Sequence, residues 1–370
     1  MKPKVGILTW HDPSNCGSTL QAYALYVYLR NQGIAVEIIN YIPQWCRDDY
    51  MQMPLRMLSR KRQLKRLIKD SLLPLYYRLP AHVQKKINPF FPFYHHFCKM
   101  TVACTEDTVA EVCKSFTTII SGSDQIWNPN FLDPIFLQSF AGDNIYKISY
   151  AASLGGKNLP ENLVPLYKKH LHSFRAISVR ENEGRELLKS IGISSEVHID
   201  PVLLLNASLY RSISKPVLHI KKPFAFCYFL PTDREYKMQV QKYVQEHNLQ
   251  AFGFSANKED YLWIEEVDTM GPREFLWLID NADIVFTNSY HATILSLIHH
   301  TPFFTFVRFT NSDTKCQNSR LEQLNSYFDV ADYYVVDNIP NIHGYSFKKF
   351  ETRLLRLQES AKEYLLANIK

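Results

Sequence analysis

The sequence predicts an α/β protein made of two doubly wound domains whose parallel sheets face each other across a cleft. Strand, loop, helix and strand patterns follow one another over residues 5–41, and the same rhythm restarts at residue 224. A polar, basic stretch at 208–222 separates the two series. Alternation of strands and helices requires a parallel sheet. The length of 370 residues also exceeds what one hydrophobic core usually serves, which favours two domains.

The first half opens with a short apolar run at 5–9 that is typical of a buried strand, and a second run follows at 36–41. Between them, apolar residues recur at helical spacing until Gly33, which favours a helix end. Further strands are predicted at 117–121, 145–151, 176–180 and 197–201, the last of which ends in a turn, with a helix at 181–191. We therefore place an N-terminal domain at 1–210, with a basic, helical insertion at about 45–100.

The second half repeats the alternation. The patterns predict strands at 224–230, 249–254, 283–287 and 302–307, and helices at 234–247, 272–281, 292–300 and 319–327. These elements define a C-terminal domain at 220–345. The amphipathic tail predicts one further helix, within 346–370.

Composition excludes several protein classes. Hydrophobic residues make up 46% and charged residues 21%, as in a globular protein. The first apolar run is too short for a signal peptide, and no stretch approaches the ~18 apolar residues of a spanning helix. The seven cysteines are scattered without a CxxC pair, which favours reduced thiols and no zinc site. We therefore expect a cytoplasmic protein.

The net charge of +6 is concentrated in the insertion. Between Arg56 and Lys86, ten Lys and Arg residues face a single acidic residue, Asp70, while leucines recur on the other side. Such a helix is equally consistent with a peripheral position on an anionic membrane and with a solvated lid that packs its leucines on the core. Nucleic acid is not expected as a partner, because the charge is confined to one insertion and no recognition motif accompanies it.

Polar segments follow two predicted strands of the first half, where an open parallel sheet builds its site. Residues 15–18 (Asn-Cys-Gly-Ser) begin a helix whose N–H groups favour an anion or hydroxyl oxygens, although a simple helix cap has the same pattern. Residues 122–128 combine a carboxylate, an amide and an indole, Asp124, Gln125 and Trp127, which suit sugar recognition. A strand-closing turn would look similar.

Two later segments carry further candidates. Arg180 leaves a strand at a helix start, where a guanidinium binds carboxylate or phosphate, or else forms a surface pair with Glu181. Residues 287–293 place Asn288, Ser289 and His291 after a hydrophobic strand. A histidine there can serve as an acid or a base, although a lone histidine is more often structural. His299 and His300 are interpreted as a helix-end feature rather than a ligand set.

Taken together and in this order, these segments resemble the polysaccharide pyruvyl transferase family. The similarity extends over about residues 5 to 330 and includes 15–25, 122–128, 178–181, 271–275 and 288–293. It implies a glycosyltransferase-B-like pair of Rossmann-type domains. It also implies phosphoenolpyruvate as donor and a hexose carrying a pyruvate ketal as product.

The resemblance also implies that Arg180 and His291 contact the donor. From the chemistry of ketal formation, His291 is expected to act as the acid and Asp124 as the base on the attacking hydroxyl. The donor is expected to contact Arg180, Asn288, Ser289 and Arg320, and the acceptor Asn15, Gly17, Gln21, Gln125 and Trp127. The first domain would be the acceptor side and the second the donor side. The chemistry itself requires no metal or other cofactor.

Three positions depart from the family pattern. Ser289 stands where some relatives carry Arg, so a donor-binding cation is missing there, and Arg308 or Arg320 is the candidate to replace it. Ala292 replaces a common Gly, and Asn288 replaces a common Asp, which removes one candidate base.

The acceptor implied by the resemblance is a lipid-linked oligosaccharide or a polysaccharide. Two alternatives remain open. The same architecture serves glycosyltransferases that use nucleotide sugars, for which Glu274 or Asp283 would be candidate ribose ligands. The departures at Asn288 and Ser289 would also suit a non-catalytic, membrane-peripheral assembly factor.

Overall fold

A computed structural model of the protein describes residues 3–11, 15–44, 91–232, 236–256, 260, 262–267, 270–308, 319–336, 338–340 and 345–370. The basic part of the insertion, 56–86, lies outside the described residues, so both interpretations of it stay predictions. The described end of the insertion contains a short helix at Phe91–Phe97.

The first sheet contains four parallel strands in the order β2–β1–β3–β4, namely Ala35–Ile38, Lys4–Leu8, Thr118–Ser121 and Tyr146–Ser149. A parallel pair, β5 (Ser178–Val179) and β6 (Glu196–Val197), continues beyond β4 through isolated bridges. The strand interiors are apolar: Val5, Ile7 and Leu8 have no exposed surface. Burial on both faces is what a doubly wound sheet requires.

The second sheet contains six parallel strands in the order β12–β11–β10–β7–β8–β9. They are β7 (Phe224–Phe229), β8 (Gln250–Ser255), β9 (Glu265–Glu266), β10 (Ile284–Thr287), β11 (Phe303–Phe306) and β12 (Tyr334–Val335). Two parallel sheets in one chain confirm the predicted fold class.

The helices follow the predicted alternation. They are α1 (Cys16–Asn31), α2 (Phe91–Phe97), α3 (Val109–Cys113), α4 (Val164–Leu171), α5 (Asn182–Ser190), α6 (Ala207–Ile213), α7 (Lys237–Glu246), α8 (Pro272–Asn281), α9 (Tyr290–His299), α10 (Ser319–Phe328) and α11 (Lys348–Asn368). Nearly every residue of α1 between Cys16 and Leu29 is buried, because α1 also contacts α8 of the second half. This helix therefore forms part of the boundary between the sheets.

The last helix, α11, joins the two halves. Near its start, Phe350 packs edge-on against Phe328 of α10, with ring centroids 4.8 Å apart. Near its end, the Tyr364 hydroxyl donates to the Ser149 carbonyl at 2.8 Å, in the first sheet. None of the described helices is long and apolar enough to cross a membrane.

Two predicted boundaries are wrong, and a capping side chain explains each difference. The strand predicted at 197–201 ends at Val197, and a 3-10 helix, Pro201–Leu204, follows it. Pro201 has no N–H for a ladder, and the Asp200 carboxylate caps the turn by accepting from the Val202 N–H at 3.0 Å. Helix α9 begins two residues before the predicted start at 292 because the Ser289 side chain caps it.

Candidate active site

A cavity lies where the carboxyl ends of β3 and β10 face each other across the two halves. The N-termini of α1 and α9 reach the same place, so their N–H groups and helix dipoles favour an anion there. The cavity is lined by Asn15, Asp124, Gln125, Leu230, Asn288, Ser289, Tyr290, His291, Arg308, Arg320 and Leu321. Eight of them, including Arg308, were candidates from the sequence.

Asp124 follows β3 and is held by two hydrogen bonds. Its Oδ2 accepts from the Ser18 hydroxyl at 2.5 Å, and its Oδ1 accepts from the Gln125 N–H at 2.9 Å. Its φ of 68° lies in the left-handed region, which is uncommon for a residue with a side chain. The contact with Ser18 fixes the carboxylate against the first turn of α1, and the side chain borders the cavity.

Two neighbouring amides also border the cavity. Asn15 is the N-cap of α1, and its Oδ1 accepts from the Gly17 N–H at 2.9 Å. The Gln125 Oε1 accepts from the Asn128 Nδ2 at 2.6 Å. Both side chains are thus oriented by local hydrogen bonds and lie at the first domain's side of the cavity.

Two residues predicted to bind the acceptor are placed elsewhere. Trp127 has no exposed surface, and its indole N–H donates to the Phe136 carbonyl at 3.0 Å. Gln21 is equally buried, and its Nε2 donates to the Trp10 carbonyl at 2.7 Å. Buried side chains of this kind organise the loops after β1 and β3, and Trp127 offers no ring face on which a sugar could stack.

His291 occupies the second position of α9 and is 8% exposed. Its ring lies directly against Gly17 of α1: a Cβ atom added to Gly17 would be 2.2 Å from His291 Nδ1. Gly17, predicted to bind the acceptor, therefore makes room for the histidine. The absence of a side chain at position 17 lets the second half approach the first at this point.

Asn288 and Ser289 line the cavity, and their side chains also form hydrogen bonds with the backbone around it. The Asn288 amide accepts from the Leu230 N–H at 2.7 Å and donates to the Leu230 carbonyl at 2.9 Å and the Tyr236 hydroxyl at 2.6 Å. These hydrogen bonds join the carboxyl ends of β7 and β10. The Ser289 side chain caps α9, accepting from the Ala292 N–H at 3.5 Å. Their role in donor binding stays a prediction.

Arg180 lies behind the cavity lining and is 2% exposed. Its Nη1 donates to Asp200 Oδ2 at 2.7 Å, its Nε donates to Glu181 Oε1 at 3.1 Å, and its guanidinium sits 4.8 Å from the Tyr290 ring centroid. Burial opposes the charge, but Glu181 and Asp200 raise the pKa of Arg180 above its ordinary value. Of the two alternatives from the sequence, the pair with Glu181 is observed, but it is buried and Asp200 also takes part in it, whereas donor binding by Arg180 stays a prediction.

Asp200 is the site residue that sequence reasoning missed. Its carboxylate has no exposed surface and accepts from Arg180 and, at 3.1 Å, from the Ser123 hydroxyl. The same Oδ2 lies 3.5 Å from His291 Nε2. Burial alone would raise the pKa of Asp200, but His291, Arg180 and the Val202 N–H lower it below the ordinary value. The available signal was its place at the end of the strand predicted at 197–201, where we expected only a turn.

Two arginines of the second half supply cations to the cavity itself. Arg308 follows β11, and its Nε donates to the Pro231 carbonyl at 2.8 Å. Arg320 lies in the first turn of α10, 5.9 Å from the Tyr290 ring centroid. Burial lowers the pKa of Arg308, and burial together with the Arg180 charge lowers the pKa of Arg320 to about 10. A bound anion would relieve this unfavourable placement of positive charge.

The arrangement combines three chemical capacities in one cavity. Arg308, Arg320 and the α9 N-terminus can hold an anion. His291 can donate a proton, and Asp124 can accept one. The described residues contain no group of three His, Cys, Asp or Glu side chains that could hold a metal ion.

Several solved structures have similar folds at low sequence identity. UDP-N-acetylglucosamine 2-epimerase from Rickettsia bellii is 11% identical with a TM-score of 0.49, over 99% of this chain and 97% of that one. The corresponding epimerase from Neisseria meningitidis, bound to UDP-GlcNAc, is 8% identical with a TM-score of 0.48, over 100% and 95%. The E. coli heptosyltransferase WaaC with ADP is 10% identical with a TM-score of 0.41, over 89% and 98%. No curated protein matches.

The family model of polysaccharide pyruvyl transferases matches residues 15–308, most of the chain. The match begins at Asn15, the cap of α1, and ends at Arg308, so it contains both faces of the cavity apart from Arg320 and Leu321. The chain belongs to the polysaccharide pyruvyl transferase family.

Proposed function

We propose that this protein transfers the pyruvyl group of phosphoenolpyruvate to two hydroxyls of one hexose in a bacterial surface polysaccharide or its lipid-linked precursor. The product is a cyclic pyruvate ketal, and inorganic phosphate leaves. The observation that carries the proposal is the cavity itself, which is lined by Asp124 from the first half and by His291, Arg308 and Arg320 from the second.

The donor chemistry matches the charges of the cavity. Phosphoenolpyruvate carries a phosphate and a carboxylate, and guanidinium groups bind both of these in a bidentate manner. Arg308 and Arg320 together with the N-terminus of α9 supply this environment. They also compensate for the missing arginine at Ser289, since both guanidinium groups reach the cavity from neighbouring elements.

The reaction needs one proton donor and one proton acceptor. Protonation of the methylene carbon by His291 makes C2 electrophilic, and a sugar hydroxyl forms a C–O bond to C2 while Asp124 takes the hydroxyl proton. The C2–O bond to phosphate then breaks, and a second hydroxyl of the same sugar closes the ring and releases its proton to the departing phosphate. Positioned acid and base groups each contribute on the order of 10²–10⁴-fold.

The donor is tested directly by ligand binding. Phosphoenolpyruvate at about 100 times its dissociation constant should stabilise the native state by about 2.7 kcal/mol, measured as a rise in Tm. A UDP-sugar is the competing ligand. A rise in Tm with the UDP-sugar and none with phosphoenolpyruvate would favour the glycosyltransferase and refute the proposed donor.

Turnover is tested with phosphoenolpyruvate and a panel of aryl and lipid-linked hexosides. Phosphate release should be accompanied by an acceptor that gains one pyruvate minus one water. Arg308→Gln and Arg320→Gln should each raise the KM for phosphoenolpyruvate about tenfold or more, because each removes a charged hydrogen-bond donor. Arg185→Gln, on the exposed face of α5, is the matched control and should leave the KM unchanged.

A further inference from the structure

Among the described residues, the carboxylate that lies within 4 Å of the His291 ring belongs to the other half of the molecule. Asp200 follows β6 of the first half, whereas His291 lies in the first turn of α9 in the second half. Asp200 Oδ2 and His291 Nε2 are 3.5 Å apart. The contact therefore exists only while the two halves hold this relative position.

The Asp200 carboxylate is placed to pair with a proton on His291 Nε2. Two buried carboxylates, Glu181 and Asp200, both bond to Arg180, and the buried Arg320 guanidinium of the second half also acts on Glu181. Asp200 Oδ2 faces His291 Nε2 at 3.5 Å, and an opposite charge at such a distance favours the charged form of a group.

The helix that carries His291 acts in the opposite direction. The N-terminus of a helix bears a partial positive charge, which disfavours a cation in its first turn. A protonated His291 would therefore be attracted by the Asp200 carboxylate and repelled by the N-terminus of α9. A general acid needs this combination, because it must hold a proton and then transfer it.

We propose that Asp200 is a positioning residue for His291: its carboxylate, anchored by Arg180 and Ser123, orients the imidazole and keeps it protonated. Because the two residues come from different halves, the proton donor is complete only when the halves are in contact. The inference deepens the proposed function and rests on His291 being the acid. The other charged groups that border the same cavity are Asp124, Arg308 and Arg320.

The first test is a pair of pH profiles. In Asp200→Asn, kcat should fall about 10²-fold or more, and its decline at high pH should begin at lower pH than in the wild type, since a less stabilised imidazolium loses its proton earlier. Each value is also measured in the His291→Gln background. In that background, Asp200→Asn should lower kcat little further, because the effects of replacing two residues that act as a unit are not additive. Additive losses or an unchanged pH profile would overturn the proposal.

A second, milder variant keeps the test valid if Asp200→Asn does not fold. Each carboxylate oxygen of Asp200 accepts from a donor, Oδ2 from Arg180 and Oδ1 from the Val202 N–H, so the NH2 group of Asp200→Asn must face one of them and this variant loses stability as well. Ser123→Ala keeps the carboxylate but removes its 3.1 Å hydrogen bond, and it should produce a smaller shift of the pH profile in the same direction. No shift in a folded Ser123→Ala protein would count against anchoring by Ser123 and overturn that part of the inference.

A spectroscopic measurement separates this inference from the choice of donor. In protein labelled with ¹⁵N-histidine, the His291 signals are identified by their loss in His291→Gln. The imidazolium signature should persist to higher pH in the wild type than in Asp200→Asn, whether or not phosphoenolpyruvate is turned over. If the spectra of wild type and Asp200→Asn differ as expected but no phosphate is released, the proposed donor is refuted and the role of Asp200 stands. If phosphate is released but the two spectra are identical, the donor stands and the role of Asp200 is refuted.

Discussion

Helix α9 carries one histidine near each end, and each lies beside an aspartate that also binds an arginine. At the start, His291 Nε2 lies 3.5 Å from Asp200, which accepts from Arg180. At the end, His299 Nδ1 bonds Asp280 at 2.8 Å, and Asp280 accepts two hydrogen bonds from Arg211 Nε, at 2.9 and 3.0 Å, and a third from its Nη2 at 2.8 Å. The two ends therefore use the same three residue types.

Their surroundings differ. Asp280 belongs to α8, in the same half as His299, and the Arg211 side chain is 53% exposed, whereas the Arg180 side chain is 2% exposed. The helix C-terminus stabilises a cation at His299, and the N-terminus opposes one at His291. The comparison teaches that an Asp–His pair within one half, away from the strand ends, is expected to be structural. It becomes a candidate for catalysis where it crosses a cleft at strand ends.

The largest expected effect is the difference in kcat between two single variants, one at each histidine of α9. His291→Gln should lower kcat for phosphate release on the order of 10²–10⁴-fold because it removes the acid. His299→Gln should leave kcat unchanged in the folded protein. Steady-state kinetics at one pH decide this, and near wild-type turnover in His291→Gln would show that the acid is another group.

The contact between Gly17 and His291 provides the next test. Gly17→Ala places a Cβ 2.2 Å from His291 Nδ1, so the ring or the helix must move. We expect a loss of stability of about 1–3 kcal/mol, as in other overpacked sites, together with a fall in kcat of at least tenfold. Gly156→Ala is the matched control, since its new Cβ would meet no atom within 4 Å. Equal behaviour of the two variants in urea unfolding and turnover would disprove the close approach.

At the structural end of α9, Asp280→Asn should reduce stability with no change in kcat. The variant loses charged hydrogen bonds with His299 and Arg211, which together contribute about 2 kcal/mol. Burial alone would raise the pKa of Asp280, but its bonds to His299 and Arg211 lower it below the ordinary value. The stabilisation is therefore present above about pH 4 and is lost as the pH falls further. Urea unfolding at pH 7 and pH 3 checks both statements. A lower kcat in Asp280→Asn would show that this Arg–Asp–His group also contributes to catalysis.

Another buried histidine, His198, extends the comparison, because no buried aspartate among the described residues is bonded to it. Its Nδ1 bonds the Ser178 hydroxyl at 2.9 Å, and the exposed Glu196 carboxylate is 3.9 Å from its Nε2. Burial lowers the pKa of His198 to about 4. Between its ordinary value of 6.5 and pH 4 the unfolded state binds a proton that the native state does not, so stability falls as the pH falls.

The folding equilibrium should weaken by up to about tenfold for each pH unit in this window. In His198→Gln this part of the pH dependence should disappear, because the amide can keep a bond to Ser178 without titrating. Unfolding midpoints at pH 7 and pH 5 measure it. A stability difference as large in the variant as in the wild type would assign the effect to other groups.

Much of the fold and part of the site could be predicted from residue patterns. Apolar strands alternating with amphipathic helices predicted two parallel sheets, and the rule that ligands lie at strand ends selected Asp124 and His291, which border one cavity. The same rule applied to Asp200, but Asp-Pro is also a turn pattern, and this ambiguity concealed it. Trp127 was misjudged for a related reason, because an indole beside polar residues looks the same whether it faces a sugar or the core.

The sequence by itself determined the order of the elements, the two sheets and the ends at which polar side chains collect, because those depend on local periodicity and on backbone geometry. Only the tertiary structure decided which charges meet. Arg180 is neutralised by Glu181 and Asp200, Gly17 admits His291, and Arg308 and Arg320 provide the cations of the cavity. These contacts join residues far apart in the chain, and their energies depend on distance and burial, which no local pattern encodes.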